Sequence, residues 1–171
     1  AEEDLVTYKQ REEKYQLWNG AEIWLRQCDQ ADRLRGPSVA AAWMDEAGQS
    51  PYEGFQILAG RLRQRGYPHV LMLTGTPRGR NWFHWVFEKG ERPEGAPPYI
   101  GELLQTLGAA EPDVFTWSSL ENPYLDPVTK GLLEACYTTG TPAYRQEVLG
   151  EVVSGEGLVY PQFDFDRHVR E

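Results

Sequence analysis

The 171-residue sequence predicts an α/β fold, in which helices flank a parallel sheet and a smaller C-terminal subdomain follows. Two short, continuous apolar runs, residues 38–44 and Val70–Leu73, are typical of strands that are covered on both faces. Between them, residues 51–66 carry an apolar stripe with helical spacing, and we expect Gly66 to end that helix. This strand–helix–strand order indicates two parallel strands joined by a crossover helix.

Asn19 and Gly20 predict a β-hairpin near the start of the chain. They separate two alternating segments, residues 14–18 and 21–26, and Asn-Gly is the pair that best tolerates the two positive φ angles of a type I′ turn. Before the hairpin, the acid-rich residues 1–13 predict a solvated start that is helical or frayed. After it, the polar residues 29–36 predict a loop.

The later elements are predicted from apolar stripes, helix caps and chain breakers. They are an aromatic helix at residues 81–89, an exposed loop at 91–98, a strand at 113–117, a helix at 126–137 capped by Asp126, a helix at 142–149, and a small hairpin of residues 151–153 with 158–160. Pro127 fits the first position of its helix, because the missing N–H would be unsatisfied there in any case.

Composition limits the classes of function. The chain has 17 basic and 26 acidic residues and a net charge of -9, which argues against a protein whose whole surface binds nucleic acid or an anionic membrane. Its longest apolar run has only six residues, 39–44, whereas a membrane-spanning helix needs about 20. The 2 cysteines cannot form a disulfide framework and favour a reducing, intracellular setting.

The strongest chemical signal is Asp45-Glu46, two adjacent carboxylates directly after the first apolar strand. Ligands of open α/β sheets bind beyond the carboxyl ends of the strands, where this pair lies. One carboxylate can hold Mg²⁺ and the other can orient an attacking water. The alternative is that Asp45 only caps the following helix and that Glu46 is solvated.

The next apolar strand also ends in a polar turn, Thr74-Gly75-Thr76-Pro77. Because the carboxyl ends of parallel strands meet at one edge of the sheet, two hydroxyls here would lie beside the two carboxylates and could sense a γ-phosphate or its water. The alternative is a simple β-turn closed by threonine hydroxyls.

Arginines form two further groups. Arg35 lies in a loop before the Asp-Glu strand and could neutralise charge in a transition state, in its own subunit or in a neighbour's. Residues 61–80 contain five arginines and no acid, so they could contact a phosphate backbone without reading sequence. On the predicted helix, Arg61 and Arg65 share one side and Arg63 points elsewhere. Solvated side chains are the alternative for both groups.

Four blocks of the sequence resemble the large terminase subunit of tailed bacteriophages, the motor that packages viral DNA. In chain order they are Asn19-Gly20-Ala21-Glu22-Ile23, Leu34-Arg35-Gly36 followed by Ala41-Ala42-Trp43-Met44-Asp45-Glu46-Ala47, Leu73-Thr74-Gly75-Thr76-Pro77-Arg78-Gly79 with Asn81-Trp82, and Glu121-Asn122-Pro123-Tyr124-Leu125 with Tyr144-Arg145-Gln146-Glu147-Val148-Leu149-Gly150-Glu151. They resemble the family's hairpin, its arginine-glycine loop with the Walker B strand, its coupling motif and its lid region.

The resemblance implies a partial P-loop NTPase core of the ASCE, RecA-like type at residues 1–119, and a lid subdomain with the start of a nuclease linker at residues 120–171. It implies ATP and Mg²⁺ as cofactors. Asp45 would hold the Mg²⁺, Glu46 would activate water, and Arg35 would be a finger that acts across a subunit boundary. Thr74, Gly75 and Thr76 would couple hydrolysis to movement.

The same resemblance implies the partners and the location. Double-stranded DNA would be the substrate that is moved, and the basic segment, Arg61, Arg63, Arg65, Arg78 and Arg80, is our candidate contact to it. A homo-oligomeric ring would work with a portal protein and a small terminase subunit at the procapsid portal in the host cytoplasm, without a membrane.

One expected motif is missing from these 171 residues: they contain no Gly-x-x-x-x-Gly-Lys-Ser/Thr loop, which cradles the phosphates of ATP. In the family that loop lies upstream of the segment matched here, so we expect the isolated chain to hydrolyse no ATP. Two alternatives remain open at this point. One is a motor segment like those of superfamily 2 helicases and translocases, and the other is a non-catalytic assembly fragment.

Overall fold

The computed structural model describes residues 6–36 and 38–153. The strands of this part are β1 (Val6–Lys9), β2 (Lys14–Leu17), β3 (Glu22–Trp24), β4 (Ala41–Met44) and β5 (Val70–Leu73). Its helices are α1 (Tyr52–Ala59), α2 (Trp82–Trp85), α3 (Ile100–Thr106), α4 (Pro127–Cys136) and α5 (Pro142–Glu147). The chain divides into two compact units, Ala1–Met44 with Ser50–Met72 and Asp45–Gln49 with Leu73–Glu171. No helix of the described residues is long and apolar enough to cross a bilayer.

The first unit begins with an antiparallel sheet of three strands, ordered β1-β2-β3. The prediction of a helical or frayed start is therefore wrong for residues 6–9, which form β1. Cross-strand pairing explains the difference, because Tyr8 lies opposite Tyr15 with ring centroids 4.7 Å apart. On β2, Lys14 is buried and is neutralised by Glu12 at 2.6 Å and Glu22 at 2.8 Å.

The predicted hairpin between β2 and β3 is confirmed, but its turn type is wrong. A type I′ turn needs a positive φ at both central residues, whereas Gly20 has φ +83° and Asn19 has no positive φ. Leu17 N–H donates to Ala21 O at 2.9 Å, and Gly20 N–H donates to Leu17 O at 3.0 Å. The loop therefore has three residues and ends in a left-handed glycine, which is another common hairpin geometry.

Strands β4 and β5 form the predicted parallel pair. Val70, the first residue of β5, donates its N–H to Ala40 O just before β4, and Ala47 N–H after β4 donates to Thr74 O after β5. The two starts and the two ends therefore lie together, so both strands run in one direction. Coverage on both faces is wrong for the described residues. Met44 is 2% exposed, with its methyl next to Gly54 of α1, but Trp43 is 65% and Met72 52% exposed. Met44 packs on α1, whereas the side chains of Trp43 and Met72 remain more than half exposed.

Helix α1 ends at Ala59, so the prediction that it continues to Gly66 is wrong. The chain after it forms a parallel bridge between Val39 and Leu62. Val39 N–H donates to Arg61 O at 2.9 Å, and Gln64 N–H donates to Val39 O at 3.3 Å. These bonds hold residues 61–64 beside the strand instead of in a further helical turn.

In the second unit, the aromatic helix predicted at residues 81–89 is confirmed in part. Helix α2 covers only Trp82–Trp85, and Trp85 and Val86 are buried as their spacing indicates. Residues 91–98 form a loop, as predicted. Helix α3 was not predicted from the sequence; it is short and starts where Ile100 N–H donates to Val86 O at 2.9 Å.

The strand predicted at residues 113–117 is wrong. Its β-forming sequence is present, but these residues pair with no other strand of the described chain. Val114 is 61%, Phe115 75% and Trp117 67% exposed. A strand needs a neighbour as well as propensity, because its backbone groups and apolar side chains must be satisfied from outside.

The helices α4 and α5 are confirmed. Asp126 caps α4 by accepting from Val128 N–H at 2.8 Å and Thr129 N–H at 3.0 Å. Ser118 Oγ donates to Val148 O at 3.0 Å, which ties the segment before α4 to the end of α5. Of the last predicted hairpin, residues 151–153 form no strand and residues 158–160 lie outside the described residues. The division into residues 1–119 and 120–171 stays a prediction.

Candidate functional site

Asp45 and Thr74 meet where the two parallel strands end. Thr74 Oγ1 donates to Asp45 Oδ1 at 2.7 Å, and Ala47 N–H donates to Thr74 O at 2.8 Å. The meeting of these two strand ends was predicted from the parallel order. Asp45 does not cap α1, because that helix begins after Pro51 and has no side-chain cap. Glu46 is exposed, in agreement with the other half of that alternative.

Glu46 has a backbone conformation that sequence reasoning did not foresee. Its φ is +48°, in the left-handed region that residues other than glycine seldom adopt. Gln49 stabilises this conformation with two hydrogen bonds to Glu46. Its N–H donates to Glu46 O at 2.9 Å, and its side-chain Nε2 donates to Glu46 Oε2 at 2.9 Å. A strained residue that its surroundings fix in place is frequent at functional sites.

Gly75 lies directly against the turn of Glu46. Its φ is +154°, and a Cβ placed on it would lie 3.2 Å from both Glu46 Cα and Ala47 N. Real Cβ atoms rarely come so close to backbone atoms that cannot move. Only a glycine therefore lets the segment after β5 approach the two carboxylates in this way.

Asn81 is a second link between the same segments. Its Nδ2 donates to Gly48 O at 2.7 Å, and its Oδ1 accepts from Phe83 N–H at 3.1 Å. Asn81 was predicted as the start of the aromatic helix and as part of the block that resembles the coupling motif, without a role in the site. Its role as the N-cap of α2 was predictable, because asparagine is a strong N-cap. No sequence pattern reveals its hydrogen bond to Gly48.

Arg35 lies in the first unit and is engaged there. Its Nε lies 2.8 Å from Asp32 Oδ1 and its second guanidinium nitrogen, Nη2, lies 3.6 Å from Glu53 Oε1. The side chain remains 54% exposed. Arg35 thus sits in an exposed ion pair of the kind that contributes little to stability and exchanges readily.

The predicted helical arrangement of Arg61, Arg63 and Arg65 is wrong, because α1 ends before them. Arg61 donates from Nη1 to Gly36 O at 3.0 Å, and Arg63 donates from Nε to Ser38 Oγ at 3.2 Å. Both therefore support the loop before β4. Arg65 is exposed and makes no hydrogen bond or ion pair within the described residues.

The other two arginines of the basic segment belong to the second unit. Arg80 lies over the ring of Trp85, with its guanidinium carbon 5.8 Å from the ring centroid. Arg78 is exposed and has no hydrogen-bond or ion-pair partner in the part of the chain that the structure describes. Within the basic segment, Arg65 and Arg78 are thus the two exposed arginines with no hydrogen bond, ion pair or ring contact to the described residues.

The donor set at Asp45 fits Mg²⁺ bound together with a phosphate ligand. Carboxylate and hydroxyl oxygens come from Asp45 and Thr74, and Mg²⁺ usually takes one or two carboxylates plus water and substrate phosphates. Among the described residues no cluster of three histidine, cysteine, aspartate or glutamate side chains could hold a metal by itself. The residues therefore suit a shared ion and not a cage made by protein alone.

The sequence matches the phage terminase large subunit family over residues 3–151. The chain belongs to this family. The terminase large subunit of the PBSX phage of Bacillus subtilis (strain 168) is 28% identical to it over 109 residues, which are 63% of this chain and 25% of that protein. The chain thus spans about a quarter of the length of this curated relative.

Solved structures support the fold. The large terminase of a thermophilic bacteriophage, in complex with ADP, superposes with a TM-score of 0.64 at 19% identity, over 95% of this chain and 37% of that one. A second crystal form of the same terminase gives a TM-score of 0.61 over the same shares. The chain therefore has the α/β fold of a part of a large terminase, as the sequence resemblance predicted.

Proposed function

We propose that this terminase segment is part of the ATPase that drives DNA packaging, and that ATP is hydrolysed beside Asp45 and Glu46. The observation that carries the proposal is the hydrogen bond between Thr74 and Asp45, which brings the ends of both parallel strands to one site. Family membership and the ADP bound to the thermophilic phage terminase support a nucleotide as the ligand.

Asp45 and Thr74 would hold Mg²⁺, which supplies charge neutralisation on the phosphate oxygens when it is bound. Within the described residues, Asp45 uses only Oδ1 in a hydrogen bond, so Oδ2 is available as a ligand. Thr74 orients the carboxylate through its hydroxyl. In this arrangement Asp45 is the single protein carboxylate that would bind Mg²⁺, and water and phosphate oxygens would complete the coordination.

Glu46 orients the attacking water and accepts its proton. Its Oε2 accepts from Gln49, while Oε1 has no hydrogen-bond partner in the described chain and can accept from water. A carboxylate that is fixed on one oxygen and free on the other is suited to this task, because general-base catalysis depends on geometry first.

The segment Thr74-Gly75-Thr76 couples hydrolysis to movement. Thr74 O accepts from Ala47 N–H, and Gly75 packs on the backbone of Glu46, so a shift of this segment must move the catalytic turn. The converse holds as well, since a change at the carboxylates is passed to the chain that leads into α2.

In the whole protein, the core would be a RecA-like P-loop domain, with its phosphate-binding loop contributed by residues outside this chain. A ring of large subunits would then act with a portal protein and a small terminase subunit. Arg35 would reach the nucleotide of a neighbour in that ring. Its exposed pairing with Asp32 and Glu53 leaves the guanidinium accessible for such an exchange.

Arg65 and Arg78 would contact the backbone of double-stranded DNA. Both are exposed and without a partner among the described residues, whereas Arg61 and Arg63 are committed to the loop before β4. Arg80 is also exposed, but its guanidinium lies over the ring of Trp85. Such contacts give affinity without sequence readout.

The proposal is tested by Glu46→Gln in the full-length large subunit. The amide keeps the size of the side chain and removes its basicity, so hydrolysis should fall by a factor of about 10² or more while ATP still binds. Glu102→Gln on α3 is the matched control, because that side chain is exposed and has no partner in the described chain. Normal turnover in Glu46→Gln would refute the assignment.

A further inference from the structure

We propose that Asn81 is a positioning residue for Glu46. Asn81 couples the start of α2 to the turn that carries the catalytic carboxylate. The inference rests on the proposed role of Glu46 in orienting water. Asn81 would touch neither the nucleotide nor the reacting atoms and would act through the backbone of Gly48.

The side chain of Asn81 makes two hydrogen bonds, one as an acceptor and one as a donor. Oδ1 accepts from Phe83 N–H at 3.1 Å and caps α2. Nδ2 donates to Gly48 O at 2.7 Å across 33 residues of sequence, in a partly buried position. A cap needs only the first of these bonds, so the second has another purpose.

Gly48 is the middle residue of the 3₁₀ turn Ala47–Gln49, and this turn begins immediately after Glu46. The next residue, Gln49, bonds both the carbonyl and the carboxylate of Glu46. Fixing the Gly48 carbonyl therefore fixes the start of Gln49, and Gln49 in turn fixes the carboxylate. Because Glu46 is held at φ +48°, an unfavourable conformation, it relaxes when such supports are removed.

The packing around Gly48 agrees with this role. A Cβ placed on Gly48 would lie 3.4 Å from a ring carbon of Phe83 and 3.4 Å from Thr76 O. A side chain at position 48 would thus be in close contact with both α2 and the coupling segment. The bond from Asn81 is the polar link in an otherwise close-packed contact.

Cap-preserving substitutions separate the two bonds of Asn81. In Asn81→Asp, one carboxylate oxygen can still accept from Phe83 N–H, and aspartate is as good an N-cap as asparagine. The other oxygen cannot donate to Gly48 O. Asn81→Ser also keeps a capping acceptor, but its short side chain does not reach Gly48 and adds no charge.

Asn19→Asp is the matched control. Asn19 also accepts an N–H from two residues ahead, that of Ala21 at 3.0 Å, and it lies in the exposed loop of the hairpin. It makes no further side-chain bond to the described residues. The chemical change is the same as at position 81, but no catalytic turn depends on it.

The variants are compared in the full-length large subunit by steady-state ATP hydrolysis, thermal unfolding and hydrogen exchange. We expect both Asn81 variants to lower kcat about 10- to 100-fold, with KM for ATP changed less than about twofold and with the melting temperature near that of the parent. The amide of Gln49 should exchange faster. Asn19→Asp should change none of these.

The inference is overturned if kcat stays normal in the Asn81 variants, or if melting temperature falls while kcat per folded molecule is unchanged. Glu46→Gln, measured in parallel, separates this failure from failure of the proposed function. Lost hydrolysis in Glu46→Gln with normal hydrolysis in both Asn81 variants removes only the positioning role. Normal hydrolysis in Glu46→Gln removes the proposed function itself.

Discussion

The hydroxyl of Thr74 donates a 2.7 Å hydrogen bond to the carboxylate of Asp45, across 29 residues of sequence. This bond joins the ends of β4 and β5, the two strands that the crossover containing α1 connects. Asp45 and Glu46 then continue into a turn that Gln49, Gly75 and Asn81 support. A short apolar strand pair thereby becomes the frame of a site with two adjacent carboxylates.

Gly75→Ala should impair hydrolysis through the turn of Glu46. The new methyl would lie 3.2 Å from Glu46 Cα and Ala47 N, so the backbone of the turn must shift. We expect kcat to fall at least about tenfold, as a displacement of a catalytic group implies. Steady-state hydrolysis by the full-length large subunit measures the effect.

Gly140→Ala is its control. Gly140 also has a positive φ, +82°, but open space surrounds it. This substitution should cost about 1–2 kcal/mol of stability from backbone strain and leave kcat unchanged. Equal losses of activity in the two variants would show that strain alone, and not contact with Glu46, explains the requirement for Gly75.

Arg35→Ala should abolish hydrolysis and leave ATP binding by a single subunit intact. Arg35 precedes β4, whereas the carboxylates follow that strand, so a neighbour's nucleotide in a ring is the easier target. The expected loss is about 10³ or more, the lower end for an arginine finger. Arg33→Ala, at an exposed neighbouring arginine, is the control.

Mixing Arg35→Ala with Glu46→Gln subunits tests whether Arg35 acts in trans. Some interfaces of a mixed ring would combine an intact arginine with an intact glutamate, so part of the hydrolysis should return. Loss of ATP binding in Arg35→Ala, together with no recovery on mixing, would place Arg35 in the site of its own subunit.

Arg65→Ala and Arg78→Ala should weaken DNA binding and reduce its dependence on salt. The plot of log K against log salt has a negative slope, and each lost phosphate contact makes that slope less steep by about 0.9 for double-stranded DNA. Basal hydrolysis should be unaffected, because neither residue bonds to the catalytic turn. Arg11→Ala, an exposed arginine outside the basic segment, serves as the control. Unchanged affinity and slope would exclude both arginines from the DNA interface.

Sequence patterns predicted the frame of the site well. The runs that form β4 and β5 are apolar and flank a helix, and this order favours a parallel pair. Met44 is buried, whereas Trp43, Val70 and Met72 are each more than half exposed. The parallel order alone then places Asp45 near Thr74. Caps such as Asp126 were equally visible, since an N-cap depends on residues two or three positions away.

The fine structure of the site was not predictable in this way. The φ of Glu46, the bond from Gln49 and the link from Asn81 to Gly48 depend on contacts between segments that are distant in sequence. The same dependence explains the strand predicted at residues 113–117, where local propensity was present without a neighbouring strand. Local signals fix what a segment can form, and tertiary contacts decide whether it forms.

The role of Asp45 as a metal ligand is tested most directly by Asp45→Cys in the full-length large subunit, assayed with Mg²⁺ and with Cd²⁺. A thiolate binds Mg²⁺ poorly and softer cations well. We expect hydrolysis with Mg²⁺ to fall at least about 10²-fold and Cd²⁺ to restore part of it. Asp113→Cys, at an exposed aspartate, should behave like the parent with either ion. Hydrolysis at the parent rate by Asp45→Cys with Mg²⁺ would contradict the assignment of this site.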